Sequence, residues 1–260
     1  TLGFIIPFVE GVYLSFCKFT TVNDAKFIGF ANYAKVFADE TFVHAFWYTA
    51  AFTVVSVILI NVLAFAVALL LTKGFKGTNI FRTVFFMPNL IGGIVLGYIW
   101  QLLLNGILMK FSRTLTYSST YGFWGLIILM CWQQIGYMMI IYIAGIQNIP
   151  GELIEAAEID GATKWQILKK VTIPMVMPSI TVCTFLTLTN SFKLFDQNLA
   201  LTNGEPSKMS EMMALNIFNT FYGRTGWQGV GQAKAVLFFV LVVAISMIQL
   251  HMTRSKEVQQ

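Results

Sequence analysis

Few residues in this chain could do covalent chemistry, and their spacing speaks against it. The two histidines, His44 and His251, lie far apart near the ends of apolar runs, with no HExxH and no Ser/His/Asp arrangement. No GxxxxGK(S/T) phosphate loop is present, so the chain is not expected to hydrolyse ATP. Cys17, Cys131 and Cys183 fall in apolar runs, without CxxC spacing, and suggest neither a disulfide framework nor a metal site. What remains is one charged stretch and three groups of uncharged polar side chains. The charged stretch is Pro150–Pro174, PGELIEAAEIDGATKWQILKKVTIP. It holds four of the 12 acids (Glu152, Glu155, Glu158 and Asp160), and Lys164, Lys169 and Lys170 follow. The uncharged groups are Asn89 with Gly92 and Gly93, Trp132-Gln133-Gln134 with Tyr137, and Thr187, Thr189, Asn190 and Ser191.

The elements that must hold these residues follow from composition. The 260 residues are 57% hydrophobic and only 11% charged, against about 25% charged in soluble domains. The mean hydropathy is +0.70. This is the composition of an integral membrane protein, and the modest net charge of +5, carried by loops, suits lipid headgroups better than nucleic acid. A bilayer core takes about 20 apolar residues per helix. Six runs are predicted to span: about 2–19, 45–72, 84–104, 121–146, 171–192 and 235–252, the third interrupted by Pro88-Asn89 and Gly92-Gly93. They form one all-α domain over 1–260, with no internal repeat. Glu10, in the first span, is expected to face protein or water, because an acid at mid-membrane costs about 2.5–3.5 kcal/mol on insertion scales. The chain opens at Thr1, already apolar. It lacks a start Met, a basic n-region and a small-residue cleavage site, so it is expected to continue from an upstream tail and not to begin with a signal peptide.

Pro150 suits a first helical turn, and Glu152, Glu155 and Glu158 sit near the positive end of a helix at about 150–166, with Lys164 near its negative end. Positions 153, 156, 157 and 160 share a face that reads Leu, Ala, Ala, Asp. Gly161 ends or bends the helix. Periodicity alone favours an ordinary interfacial helix with a solvated charged face.

The spacing adds more. Glu155-Ala156-Ala157, three residues, Gly161, nine residues, then Val171-Thr172-Ile173-Pro174 resembles the EAA loop of importer-type ABC transporter permeases, with Val171 and Ile173 as conservative departures. Ser15-Phe16, then Phe27-Ile28-Gly29-Phe30-Ala31-Asn32-Tyr33, is similar to stretches of sugar-importer permeases. So are Phe81-Arg82-Thr83 to Pro88, Phe195-Asp196 and Leu201-Thr202-Asn203-Gly204-Glu205-Pro206, where Glu205 replaces a glycine. These segments resemble the larger, first permease of maltose and multiple-sugar importers.

The resemblance implies a permease with no cofactor of its own, paired with a second permease. Two cytoplasmic ATPase subunits would bind ATP and magnesium, and an extracellular or periplasmic sugar-binding protein would deliver the solute. It implies a prokaryotic cell membrane, with both termini and the coupling helix, between spans four and five, in the cytoplasm. The loop 73–83, with three cations and no acid, agrees with that orientation under the positive-inside rule. Glu155, Ala156, Ala157, Asp160, Gly161 and Ala162 take the coupling role.

Polar side chains inside spans cannot cheaply face lipid, so the uncharged groups mark a bundle interior or a water-filled cavity. Neutral amides, hydroxyls and aromatic faces suit a sugar. Asn89, Gly93, Trp132, Gln133, Gln134, Tyr137, Thr187, Asn190 and Ser191 are the candidate solute pathway. Helix–helix hydrogen bonding is the other account of each group. An ion-coupled secondary transporter is the competing function. It would call for repeats and a membrane carboxylate, and only Glu10 is available.

Overall fold

The computed structural model describes residues 2–74 and 76–254, without the side chains of Leu2, Phe4 and Arg254. Lys256 and Glu257 of the charged tail lie outside the described residues. Among the described residues the protein is an all-helical membrane protein, apart from one hairpin of two-residue strands. The helices are α1 (Leu2–Leu14), α2 (Ala31–Ala38), α3 (Glu40–Leu71), α4 (Thr78–Phe86), α5 (Gly93–Leu108), α6 (Ser119–Gln147), α7 (Gly151–Ile159), α8 (Lys164–Ile167), α9 (Ile173–Met175), α10 (Met177–Phe192), α11 (Asp196–Leu201), α12 (Met213–Gly223) and α13 (Gln228–Arg254). Strands β1 (Cys17–Lys18) and β2 (Lys26–Phe27) pair antiparallel between α1 and α2.

Among the described residues, four helices are long and apolar enough to cross a bilayer: Glu40–Leu71, Gly93–Phe111, Ser119–Gln147 and Gln228–Thr253. A fifth candidate is the pair Lys164–Met175 and Met177–Phe192, bent by 69°. The helix α1 has 13 residues, about 20 Å at 1.5 Å per residue. The run expected at 84–104 is divided: α4 ends at Phe86, Met87–Leu90 form a 3-10 turn, and α5 starts at Gly93. Pro88 supplies no N–H to continue a helix.

The chain divides into two units. One comprises the residues up to Phe52, Gly93–Leu126 and Phe192–Ala244; the other comprises Thr53–Gly92, Ile127–Ser191 and the chain from Ile245 on.

Three close contacts build the first unit. Asn32 donates to the carbonyls of Ser15 at 2.9 Å and Cys17 at 2.8 Å, and Tyr33 Oη lies 2.7 Å from Ser15 Oγ. Asn32-Tyr33 therefore closes back on the end of α1. Next, α11 lies along α5, where a side chain on Gly93 or Gly97 would strike Asp196 or Ala200. The third is ionic. The helix α13 begins at Gln228, two turns before the expected start of the last span, and this places Lys234 inside it. Lys234 is fully buried at 0% exposure. Its ammonium donates at 2.8 Å to each of Asp39 Oδ2, Asn216 Oδ1 and Thr220 Oγ1, which uses all three of its protons. Asn216 in turn donates to Glu211, which also accepts from Asn219. The network ties the α2–α3 junction to α12 and α13.

At Asp39, burial pushes the carboxyl up, but the bonds from Lys234 and Thr41 outweigh it and hold the group below the usual carboxylate range. A depressed folded pKa contributes stability that is complete above the unfolded value of about 3.9 and is lost as pH falls through the folded value. Removing one partner of a buried pair costs about 3–5 kcal/mol. Lys234→Ala is therefore expected to lower the thermal midpoint of the detergent-purified protein markedly. Lys234→Met combined with Asp39→Asn is expected to recover part of the loss. The wild-type midpoint is expected to fall only below about pH 4 through this pair.

Candidate functional site

The charged stretch folds as two short helices joined by a turn that requires its glycine. Pro150 precedes α7, and its carbonyl accepts from Leu153 N–H at 3.2 Å. At the other end, Gly161 adopts φ +78°, in the left-handed region. Gly161 N–H donates to Glu158 O and Ala162 N–H to Ala157 O, both at 3.0 Å. This pair of bonds is a Schellman closure, which favours glycine at its left-handed position. Two residues later Thr163 caps α8. Its N–H donates to Gln166 Oε1 at 2.7 Å, and its hydroxyl accepts from Gln166 N–H at 3.4 Å. The helix expected over about 150–166 is thus broken after Ile159 and restarted at Lys164.

Beyond α8 the backbone loosens into a π-turn at Leu168–Thr172. It passes Pro174 in α9, breaks at Val176 and resumes as α10 with Pro178 in its first turn. The π-turn falls immediately before Pro174, where an i→i−4 bond is impossible. The helix α10 then rests against α6 at a small contact: a Cβ on Gly145 would collide with Ser179 Oγ.

On this element Glu155, Ala156, Asp160 and Gly161 are exposed, and Ala157 and Ala162 are half-buried. Two apolar residues that the sequence reading passed over stand out: Ile159 is 86% and Trp165 69% exposed. Their signal was legible in principle, as large apolar side chains at a helix end otherwise rich in charge.

The uncharged polar residues divide between the units. In the second unit, Gln134 and Asn190 meet, with Asn190 Nδ2 3.5 Å from Gln134 Oε1. Gln133, buried beside them in sequence, donates to the Ile91 carbonyl at 3.4 Å, just past the Met87–Leu90 turn that carries Asn89. Tyr137 is half-buried with its ring 6.4 Å from that of Phe86, and Trp132 is exposed. Ser191 is wholly buried, and its hydroxyl has no hydrogen-bond partner among the described residues. Thr187 is placed differently: its hydroxyl donates to Cys183 O at 2.7 Å and accepts from Asn61 Nδ2 at 2.9 Å. Asn61 also accepts from Tyr142 Oη at 2.6 Å. Asn61, Tyr142 and Thr187 thus lock α3, α6 and α10 together within this unit. Gly93 belongs to the first unit, against Asp196 and Gln197. Glu10, expected against protein or water, is exposed on α1.

Long apolar helices, a surface-exposed two-helix turn and amides gathered beside broken helices mark a polytopic membrane protein. Comparison with known proteins gives the family. The family of binding-protein-dependent transport system inner membrane components matches residues 60–257, and the chain belongs to it. Among curated relatives, the probable starch degradation products transport system permease AmyD of Thermoanaerobacterium thermosulfurigenes is 42% identical over 98% of this chain and 90% of its own length. The trehalose/maltose transport system permease MalF of Thermococcus litoralis is 28% identical over 96% and 88%. Among solved structures, a bacterial ABC transporter that imports the acidic polysaccharide alginate shares the fold, with a TM-score of 0.82 at 21% identity over 98% of this chain and 91% of that one.

The tightest helix approach near the polar cluster offers a test. A Cβ on Gly136 would collide with the Phe85 carbonyl oxygen, so α6 and α4 would have to part. A Cβ on Gly151, at the exposed start of α7, would meet nothing within 4 Å among the described residues. Gly136→Ala is expected to cut the yield of folded, monodisperse protein severely and to lower its thermal midpoint by several degrees, whereas Gly151→Ala leaves both near wild type.

Proposed function

We propose that this chain is one permease of an ATP-driven importer that moves a sugar, an oligosaccharide by preference, into the cell. It pairs with a second permease, receives solute from an extracellular or periplasmic binding protein, and is driven by two cytoplasmic ATPase subunits that bind ATP and magnesium. The observation that carries this reading is the 155–174 element, with its left-handed Gly161, its Thr163 cap and its exposed Ile159 and Trp165. Large apolar groups held out on a rigid, charged turn suit burial in a partner's groove, while Glu155 and Asp160 supply polar contacts around them. The helix α7 is then the coupling helix, and Ile159 and Trp165 join Glu155, Ala156, Ala157, Asp160, Gly161 and Ala162 on its docking surface.

Six crossings accommodate the chain if α1, the interrupted α4–α5 and the bent α8–α10 each count as one, beside α3, α6 and α13. Both termini and α7 then face the cytoplasm. The solute pathway runs by Gln133, Gln134, Asn190 and Ser191, with Asn89, Trp132 and Tyr137 along it. Thr187 serves this pathway indirectly, through the bonds that hold α10 to α3. The sugar is supported by the uncharged amides of this cluster and by the names of the relatives.

In reconstituted vesicles with all partner subunits, Gln133→Ala, Gln134→Ala and Asn190→Ala are expected to lower sugar uptake while the ATPase still co-purifies. Normal uptake in all three would sink the pathway assignment. Ile159→Asp is expected to release the ATPase while the second permease stays bound, and undiminished co-purification of the ATPase would refute the docking surface.

A further inference from the structure

The segment between α5 and α6 is displayed in a way that transport does not explain. Met109–Phe111 form a 3-10 turn, Ser112 closes it in the left-handed region, and a second 3-10 turn covers Leu115–Tyr117. The segment is pinned from inside. Leu115 is buried beside Gly125, and its N–H donates to Asn105 Oδ1 at 2.8 Å. With one apolar residue turned in, three others are turned out: Met109 is 64%, Phe111 71% and Tyr117 61% exposed. Among them stand two cations, Lys110 and Arg113, and residues 109–120 contain no acid. Arg113 is held in place, with its guanidinium carbon 5.1 Å from the centre of the Tyr117 ring and 5.8 Å from that of Tyr121, whose hydroxyl accepts from Nη1.

Position identifies the occupant. The runs Gly93–Phe111 and Ser119–Gln147 are each long enough to cross a bilayer, so the segment, which ends the first and leads into the second, lies where hydrocarbon gives way to headgroups. The exposed row of α5, with Leu102, Leu103 and Ile107, runs directly into Met109 and Phe111. On α6, Tyr121 is followed one turn later by exposed Trp124. Aromatic rings at this depth belong to the interfacial belt. Fixed cations beside them attract anionic lipid, and a planar guanidinium matches a phosphate in two-pronged geometry. We propose that Met109–Tyr117 is a membrane-surface anchor: Met109, Phe111 and Tyr117 enter the bilayer boundary, and Lys110 and Arg113 bind the phosphates of anionic lipid headgroups. The inference rests on membrane insertion alone and stands whatever the solute.

The test uses the assembled transporter in lipid nanodiscs. Cys131 is replaced by Ser, and an environment-sensitive fluorophore is placed on Phe111→Cys; Cys17 and Cys183 are buried. Lipids brominated near the headgroup are expected to quench the probe, and aqueous iodide is expected to reach it poorly in discs containing phosphatidylglycerol. Iodide quenching is expected to rise about twofold or more in discs of phosphatidylcholine alone, and equally in Lys110→Gln/Arg113→Gln in anionic discs. Free iodide quenching in every lipid would overturn the proposal, as would a probe reached by neither quencher, which would mean a protein partner covers the segment. Iodide quenching indifferent to lipid charge and to the double variant would also overturn it, because the cations would then bind no headgroup. A wild-type thermal midpoint and a monodisperse elution profile of the double variant serve as the folding control.

Discussion

A lysine wholly buried inside an apolar helix is the constraint on which the first unit depends. An ammonium removed from water is stable only if its charge is balanced and its protons are bonded. Lys234 meets both conditions by drawing Asp39, Asn216 and Thr220 to 2.8 Å. Asp39 comes from the α2–α3 junction and the other two from α12, so three separate parts of the chain are brought to one point. Arg224 lies 3.5 Å from the same carboxylate, and Glu211 binds the amides of Asn216 and Asn219. The network fixes the loop helices of this unit where apolar packing alone would leave their register loose.

The second unit is organised by interruptions. Pro88 and Pro174 each remove a backbone donor, and the chain answers with a 3-10 turn at one and a π-turn at the other. In a membrane the freed backbone groups need partners from side chains or neighbouring helices, and the Ile91 carbonyl receives Gln133. The amides beside the break thus serve the backbone as well as any solute. Gly136 and Gly145 let helices approach so closely that side chains would collide, which is how helices associate where there is no water to expel. The bent α8–α10 run follows directly on the Gly161 turn, so continuous backbone joins the exposed helix to the broken span.

Much of this was legible in the residues. The deficit of charge showed a membrane protein, and the Glu155–Pro174 spacing resembled the EAA loop of ABC permeases, in agreement with the family that residues 60–257 match. Gly161 was readable as a stop because left-handed backbone favours glycine. The breaks at Pro88 and Gly92-Gly93 were visible for the same local reason. Less legible was the start of the last helix. Lys234 looked like the end of a polar loop, because the partner that lets a lysine enter an apolar helix, Asp39, is remote in sequence. Thr187 looked like a pathway residue, since its type does not reveal that Asn61 occupies it. Ile159 and Trp165 stood out in type among the charges around them, but their outward display comes from the structure.

By itself, then, the sequence determined what depends on neighbours along the chain: apolar length, proline and glycine breaks, caps, and the spacing of a turn. Each follows from backbone sterics and local hydrogen bonding, which act over a few residues. The tertiary structure decided which polar side chains find one another: Lys234 with Asp39, Asn61 with Thr187 and Tyr142, Gln134 with Asn190. It also decided which apolar ones are left facing outward. Those outcomes depend on contacts between distant segments, where the high cost of an unpaired group in an apolar interior selects the partner.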